Sequence, residues 1–107
     1  MKERYKRVED RKFRRVAVHF GTEKPEHRAT GIQISSRGMF LSTNYPIYAA
    51  GSKIVIEIQS PDRSFTVSAI VRHSKKVPPQ MIQHDRPGMG VEFIDPSAEL
   101  RDYLVSL

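Results

Sequence analysis

The stretch KIVIEIQSPDRSFTVSAIVRH, residues 53–73, decides the fold because it reads as two strands joined by a tight turn. Apolar and polar residues alternate in both halves, which is typical of half-buried β-strands, and SPDR between them has turn chemistry. The positions on the apolar face are Ile54, Ile56, Ile58, Phe65, Val67, Ala69 and Val71. The stretch therefore predicts an antiparallel β-hairpin with one buried face.

Shorter runs on both sides of this hairpin extend the same pattern. Strands are expected at 13–21, 27–36, 39–43, 53–60, 64–73 and 88–93, with loops at 44–51 and 74–87. Residues 95–107 predict a helix that Asp95 would cap, with Leu100, Leu104 and Leu107 at helical spacing to cover one end of the sheet. Six short strands followed by one helix indicate a mainly β fold, a small antiparallel barrel or sandwich.

Length and composition limit the remaining choices. A chain of 107 residues suits one hydrophobic core, and the absence of cysteine excludes disulfides and thiolate metal sites. No run approaches the roughly 18 consecutive apolar residues of a membrane span. The amino terminus is charged rather than apolar, so we expect a cytoplasmic location.

The net charge of +6 is concentrated at one end of the chain. In residues 1–15, eight Lys or Arg stand against three acids, which gives +5. We expect residues 1–12 to form a basic arm ahead of a β domain at 13–107. Such an arm indicates an anionic partner, either nucleic acid, a nucleotide or an acidic protein; a solvated, disordered terminus is the alternative.

Two short motifs flank the first two predicted strands. RKFRR places Arg11 and Arg15 directly ahead of the first strand. QISSRG ends the second strand, where period two is expected to send Gln33 and Ser35 to the outer face. Gly38 can take a positive φ or let a ligand approach the backbone. These neutral groups suit hydrogen bonds to a base edge or a phosphate and include no general base, so they predict binding rather than catalysis.

In order, spacing and strand context, these motifs resemble those of the PilZ domain, the bacterial receptor module for cyclic di-GMP. The family's R-x-x-x-R and D/N-x-S-x-x-G motifs fall on Arg11, Arg15, Gln33, Ser35 and Gly38. GMGVEF at 88–93 and the closing helix lie where that family ends its barrel. The resemblance covers essentially residues 8–107.

The resemblance implies a six-stranded antiparallel PilZ-type β-barrel that binds cyclic di-GMP on its outer surface. A flexible basic arm would order over the nucleotide and signal to an unidentified downstream protein. Arg11 and Arg15 would meet guanine edges and phosphates, while Ser35 and Gly38 would hold the other side. A guanidinium suits this task because its rigid fork of donors matches guanine O6 and N7 or two phosphate oxygens.

Two positions depart from the family pattern. Gln33 replaces Asp or Asn with a longer amide, and a hydrogen bond misplaced in this way costs on the order of 1 kcal/mol or somewhat more, roughly tenfold in affinity. Asp10 stands where members that take an intercalated nucleotide pair tend to have another arginine, so the ligand stoichiometry stays open. Gln33 also favours an alternative function, a degenerate PilZ domain that binds no nucleotide and acts as a protein-interaction adaptor.

Two further classes of function have less support in the sequence. For an RNA- or DNA-binding barrel, the phenylalanines at 40, 65 and 93 fall on or beside core positions and form no exposed stacking row. For an enzyme or a metal site, the four histidines are scattered without ligand spacing (His19, His27, His73 and His84). Tyr45 and Tyr48 are expected to pack over one end of the barrel, and Glu57 and Glu92 to face solvent.

Overall fold

In the computed structural model, which describes residues 14–107, six antiparallel strands close into a barrel. The strands are β1 (Val16–Gly21), β2 (His27–Ile32), β3 (Gly38–Ser42), β4 (Lys53–Gln59), β5 (Ser64–Lys75) and β6 (Gly88–Ile94). Their order around the barrel is β1, β2, β3, β6, β5 and β4, and β4 pairs with β1 to close it. The predicted fold class is confirmed, while the expected basic arm 1–12 and Arg11 lie outside the described residues.

The β4–β5 hairpin forms as the alternation predicts. Ile54 pairs with Ala69, Ile56 with Val67 and Ile58 with Phe65 in an unbroken antiparallel register. All six side chains are buried in the barrel interior, together with inward residues of the other strands. Burial of a large aliphatic or aromatic side chain stabilises the fold by about 1.5–3 kcal/mol, so these rows determine the register of the hairpin.

The chain ends in one helix, α1 (Ala98–Ser106), which is shorter than predicted. Its cap is Ser97, whose hydroxyl accepts a hydrogen bond from the backbone N–H of Leu100 at 3.0 Å. The prediction that Asp95 caps the helix is wrong, because Asp95 has a φ of +51° and lies two residues before the cap. Leu100 and Leu104 are buried in the barrel core and Leu107 packs against it, as the helical spacing predicts.

The two tyrosines in the loop between β3 and β4 differ in burial. Tyr48 packs against the core, as expected, and burial raises the pKa of its hydroxyl. Tyr45 is 83% exposed, so the prediction that it covers the barrel end is wrong. The hydroxyl of Thr43 is hydrogen-bonded to both backbone polar groups of Tyr45, and this local turn leaves the Tyr45 ring in solvent.

Candidate ligand-binding groove

The arginines at the start of β1 lie at the same end of the barrel as the second motif. Val16 pairs with Gly31, which is the last pair in this ladder. Arg14 and Arg15 precede Val16, and both side chains are exposed. Because β1 and β2 run in opposite directions, the start of β1 lies beside the end of β2. Arg15, directly ahead of β1, therefore lies at the end of the barrel where Gln33 begins the turn to β3.

Gln33 ends β2 four residues earlier than the sequence pattern predicts. Its backbone takes a φ of +51°, a left-handed conformation in which a strand cannot continue. The Gln33 side chain is exposed at the surface, in agreement with its expected outer position. Ile34, which follows, is fully buried.

Ser35 is only 2% exposed, so the prediction that it lies on the outer face is wrong. The left-handed residue at position 33 breaks the period-two alternation and turns Ser35 inward. Its hydroxyl donates to the carbonyl of Gly38 at 3.4 Å and accepts from the N–H of Arg37 at 3.2 Å, while its own N–H bonds to Gly38. Ser35 therefore holds the turn that joins β2 to β3.

Gly38 is required for close packing between two strands. Its φ is not in the left-handed region, and it pairs with Glu92 of β6. A Cβ atom at this position would overlap with the carbonyl oxygen of Val91. Of the two roles expected for this glycine, the positive φ is absent and the close approach of a ligand stays a prediction; the group that approaches its backbone here is β6.

An open groove runs across β3, β6 and β5 beside this turn. It has a volume of about 520 Å³ and lies on the outer wall of the barrel. Its lining residues are Gln33, Arg37, Gly38, Met39, Phe40, Arg72, His73, Gly90, Val91 and Glu92. Two of the five residues predicted as ligand-binding, Gln33 and Gly38, thus line it, and Ser35 supports it from the interior.

A β-bulge in β5 supplies two of the lining residues. Val71 pairs with Val91 and His73 with Gly90, so the register shifts around Arg72. Along β5 every second residue is buried as far as Val71, and regular alternation would turn His73 inward. The bulge instead leaves both Arg72 and His73 exposed on the groove side. Neither residue was predicted to line a groove, although the end of the alternation at Val71 marked an irregularity.

The charges in the groove are partly compensated. The Nε of Arg72 donates to a carboxylate oxygen of Glu92 at 2.7 Å, and about half of each side chain is exposed. Exposed ion pairs of this kind are worth roughly 0.2–1 kcal/mol, so an anionic ligand can replace Glu92 at small cost. Arg37 adds a second guanidinium. As expected, the side chain of Glu92 faces solvent.

The described part of the chain contains neither a metal centre nor a membrane helix. Within residues 14–107, no group of three or more His, Asp or Glu side chains could hold a metal ion. No helix in that range is long and apolar enough to span a bilayer. The groove offers guanidinium donors, the amide of Gln33 and aromatic rings, which suit recognition of a ligand.

A closed antiparallel barrel with its groove on the outer wall defines a class of small β-barrel binding domains. The chain belongs to the PilZ domain family, whose family model matches residues 2–107. PilZ domains are in general receptor or adaptor domains for cyclic di-GMP, and are not enzymes. No curated protein matches the sequence.

Among solved structures, the chain is similar to the inhibitor of motility MotI/DgrA of Bacillus subtilis. The two share 20% sequence identity and superpose with a TM-score of 0.74. The match covers 94% of this chain and 47% of the other, so the chain spans about half the length of that protein. At this identity, the likeness supports the fold.

Proposed function

We propose that this chain is a cyclic di-GMP receptor domain that binds the dinucleotide in the outer-wall groove and signals to a partner protein. The observation that carries the proposal is that the two motifs lie at the same end of the barrel, next to the groove. Arg15 and the Gln33–Gly38 turn leave the sheet at the same end of the barrel, and the turn continues into a groove with Arg37 and Arg72. A ligand with two purines and two phosphates needs several guanidinium forks close to a flat surface.

The motif residues have different roles in this proposal. Arg15, with Arg11 from the basic arm, contacts guanine edges and phosphates. Gln33 contributes its amide at the rim, while Ser35 and Gly38 act through the geometry of the turn and strand pairing. Ligand binding orders the basic arm, because the anion relieves the repulsion among clustered arginines. The cytoplasmic location and the existence of a downstream protein stay predictions.

Calorimetric titration of the full chain with cyclic di-GMP tests this function. We expect saturable binding with micromolar affinity, and at least tenfold weaker binding for Arg11→Ala and Arg15→Ala, since each removes a charged, bidentate donor. The melting temperature of the empty protein should change little, because Arg15 is exposed and precedes β1. Arg28→Ala, an exposed arginine on β2 outside the groove, is the matched control and should bind like the wild type.

Two features, one of the structure and one of the sequence, favour the alternative, an adaptor without a nucleotide. Glu92 already neutralises Arg72 in the groove, and Gln33 replaces the family's Asp or Asn. If no saturable binding occurs up to high micromolar ligand, the receptor function is wrong and the adaptor stands. Binding to random oligonucleotides that weakens steeply with salt, without preference for cyclic di-GMP, would instead indicate a nucleic-acid-binding domain.

A further inference from the structure

Two glycines lie on the outer face of β6, and one of them, Gly90, lines the groove. Gly88 and Gly90 flank Met89, which is fully buried, so both glycines face the outer side. A Cβ on Gly90 would overlap with the imidazole of His73. A Cβ on Gly88 would come within 2.7 Å of the ring of Phe40. Both rings therefore lie directly against the glycine backbone.

These two rings come from the strands on either side of β6. Phe40 of β3 and His73 of β5 are both Cα partners of Gly90. Their ring centroids are 6.3 Å apart and their planes differ by 29°. Phe40 is half-buried and His73 is exposed, and both line the groove. Three strands thus bring two stacked aromatic rings together on the outer wall.

The neighbours of this surface carry positive charge. Arg72 precedes His73 in the bulge, and Arg37 lines the same groove. A nucleotide combines a flat, uncharged ring system with an anionic phosphate, and stacking on protein aromatic rings is tolerant of base identity because every base has a π-face. The arrangement of rings beside guanidinium groups matches these two parts of a nucleotide.

We propose that Phe40 and His73 form a stacking platform for one purine base of the bound nucleotide. The inference rests on the proposed receptor function and adds a subsite that the two sequence motifs do not contain. The bulge creates this subsite, because regular alternation would place the His73 ring inside the barrel. Gly90 leaves the space that the His73 ring occupies.

Aromatic rings over strand glycines also stabilise sheets by covering the exposed backbone. That role alone predicts a lower melting temperature on ring removal and an unchanged affinity of the folded protein. The stacking role predicts loss of affinity at temperatures where the variant remains folded. Measurement of both quantities for each variant separates the two.

The test is calorimetric titration of the full chain with cyclic di-GMP for Phe40→Leu and His73→Leu. Leucine keeps apolar volume but removes the flat π-face. We expect about tenfold weaker binding for Phe40→Leu and about threefold weaker binding for His73→Leu. His73→Phe restores a flat ring and should restore wild-type affinity. Tyr45→Leu removes an exposed aromatic ring outside the groove and is the control, with unchanged affinity.

A second measurement uses the NMR resonances of the bound ligand. In the saturated wild-type complex, ring currents of the platform should shift one guanine H8 resonance of the ligand upfield, and Phe40→Leu should reduce this shift. If the wild type binds but the H8 resonances are unshifted, or if both leucine variants bind like the wild type, the platform is wrong while the receptor function stands. If the wild type does not bind, both are wrong.

Discussion

The barrel wall has two parts that differ in regularity. The regular wall consists of β1, β4 and residues 64–71 of β5, where the pairing from Lys53–Ile70 to Gln59–Ser64 is unbroken. The groove wall consists of the β2–β3 turn, β3, β6 and the end of β5. It contains the left-handed residue Gln33 and the bulge at Arg72.

This difference explains why polar and charged groups converge on the groove wall and not on the regular wall. A regular strand presents every second residue outward at fixed spacing, which does not bring several functional groups together. In the groove wall, one change of backbone conformation buries Ser35, and one extra residue brings Arg72 and His73 to the same side. Departures from β regularity are typical of functional sites, and here they surround a single groove.

The largest effect on stability is expected from Gly38→Ala. The added methyl group would overlap with the Val91 carbonyl oxygen and push β3 away from β6. Such overpacking costs about 1–3 kcal/mol, which lowers the melting temperature by roughly 5–20 °C for a domain of this size. Circular dichroism during heating measures this change.

Gly51→Ala is the matched control for this substitution. A Cβ at Gly51 would meet no atom within 4 Å, although its φ of +96° makes alanine strained there. We expect a smaller loss, about 1 kcal/mol, because only the backbone strain contributes. Equal losses of stability for the two variants would show that the tight contact between β3 and β6 does not make Gly38 more sensitive to substitution than Gly51.

Ser35→Ala should have the next largest effect. It removes a buried hydroxyl that bonds to Gly38 and Arg37, and the loss of one such hydrogen bond costs about 1 kcal/mol. Because the turn shapes one side of the groove, affinity for cyclic di-GMP should fall as well. Ser36→Ala in the same turn is the control, and urea unfolding and calorimetry are the measurements. A variant with lower affinity but unchanged stability would mean that Ser35 contacts the ligand directly.

The regular wall could be predicted from the sequence because the inward face of each of its strands follows from the alternation of residues within that strand. Alternation alone gives the inward faces of β4 and β5, and the order of motifs gives Arg15 at the barrel entrance. The groove wall could be predicted only in part. The orientation of Ser35 was predicted wrongly because it depends on one backbone angle at Gln33. The bulge at Arg72 depends on pairing with β6, which lies about twenty residues further along the chain.

Glu92→Gln tests whether a negative charge on the groove wall weakens ligand binding more than one on the regular wall. Glu92 holds Arg72 in the groove, and its carboxylate repels a ligand with two phosphates. The amide keeps the shape and removes the charge, so we expect about threefold tighter cyclic di-GMP binding at low salt and less at high salt. Glu57→Gln makes the same charge change on β4 of the regular wall, outside the groove. Equal effects of the two substitutions would mean that only the net charge matters.

The smallest effect on stability is expected from Gln33→Asn, which tests the cost of the left-handed backbone conformation at position 33. Asparagine adopts positive φ more readily than glutamine, so a φ of +51° at this position should cost it less. We expect the free energy of unfolding to rise by about 0.5 kcal/mol, or roughly 2–4 °C in melting temperature. Affinity for cyclic di-GMP should increase modestly, by at most the roughly tenfold that the misplaced amide of Gln33 costs, because the shorter amide lies closer to the family's geometry and the turn is better preorganised.

Gln33→Gly separates the backbone from the side chain in this last comparison. Glycine also accepts positive φ, so it should stabilise the turn at least as well as glutamine does, but it carries no amide. If the amide of residue 33 contacts the ligand, glycine should weaken binding while asparagine tightens it. If both variants tighten binding equally, residue 33 acts only through its backbone angle, and the Asp or Asn of the family motif is then explained by tolerance of the left-handed conformation rather than by a contact to guanine.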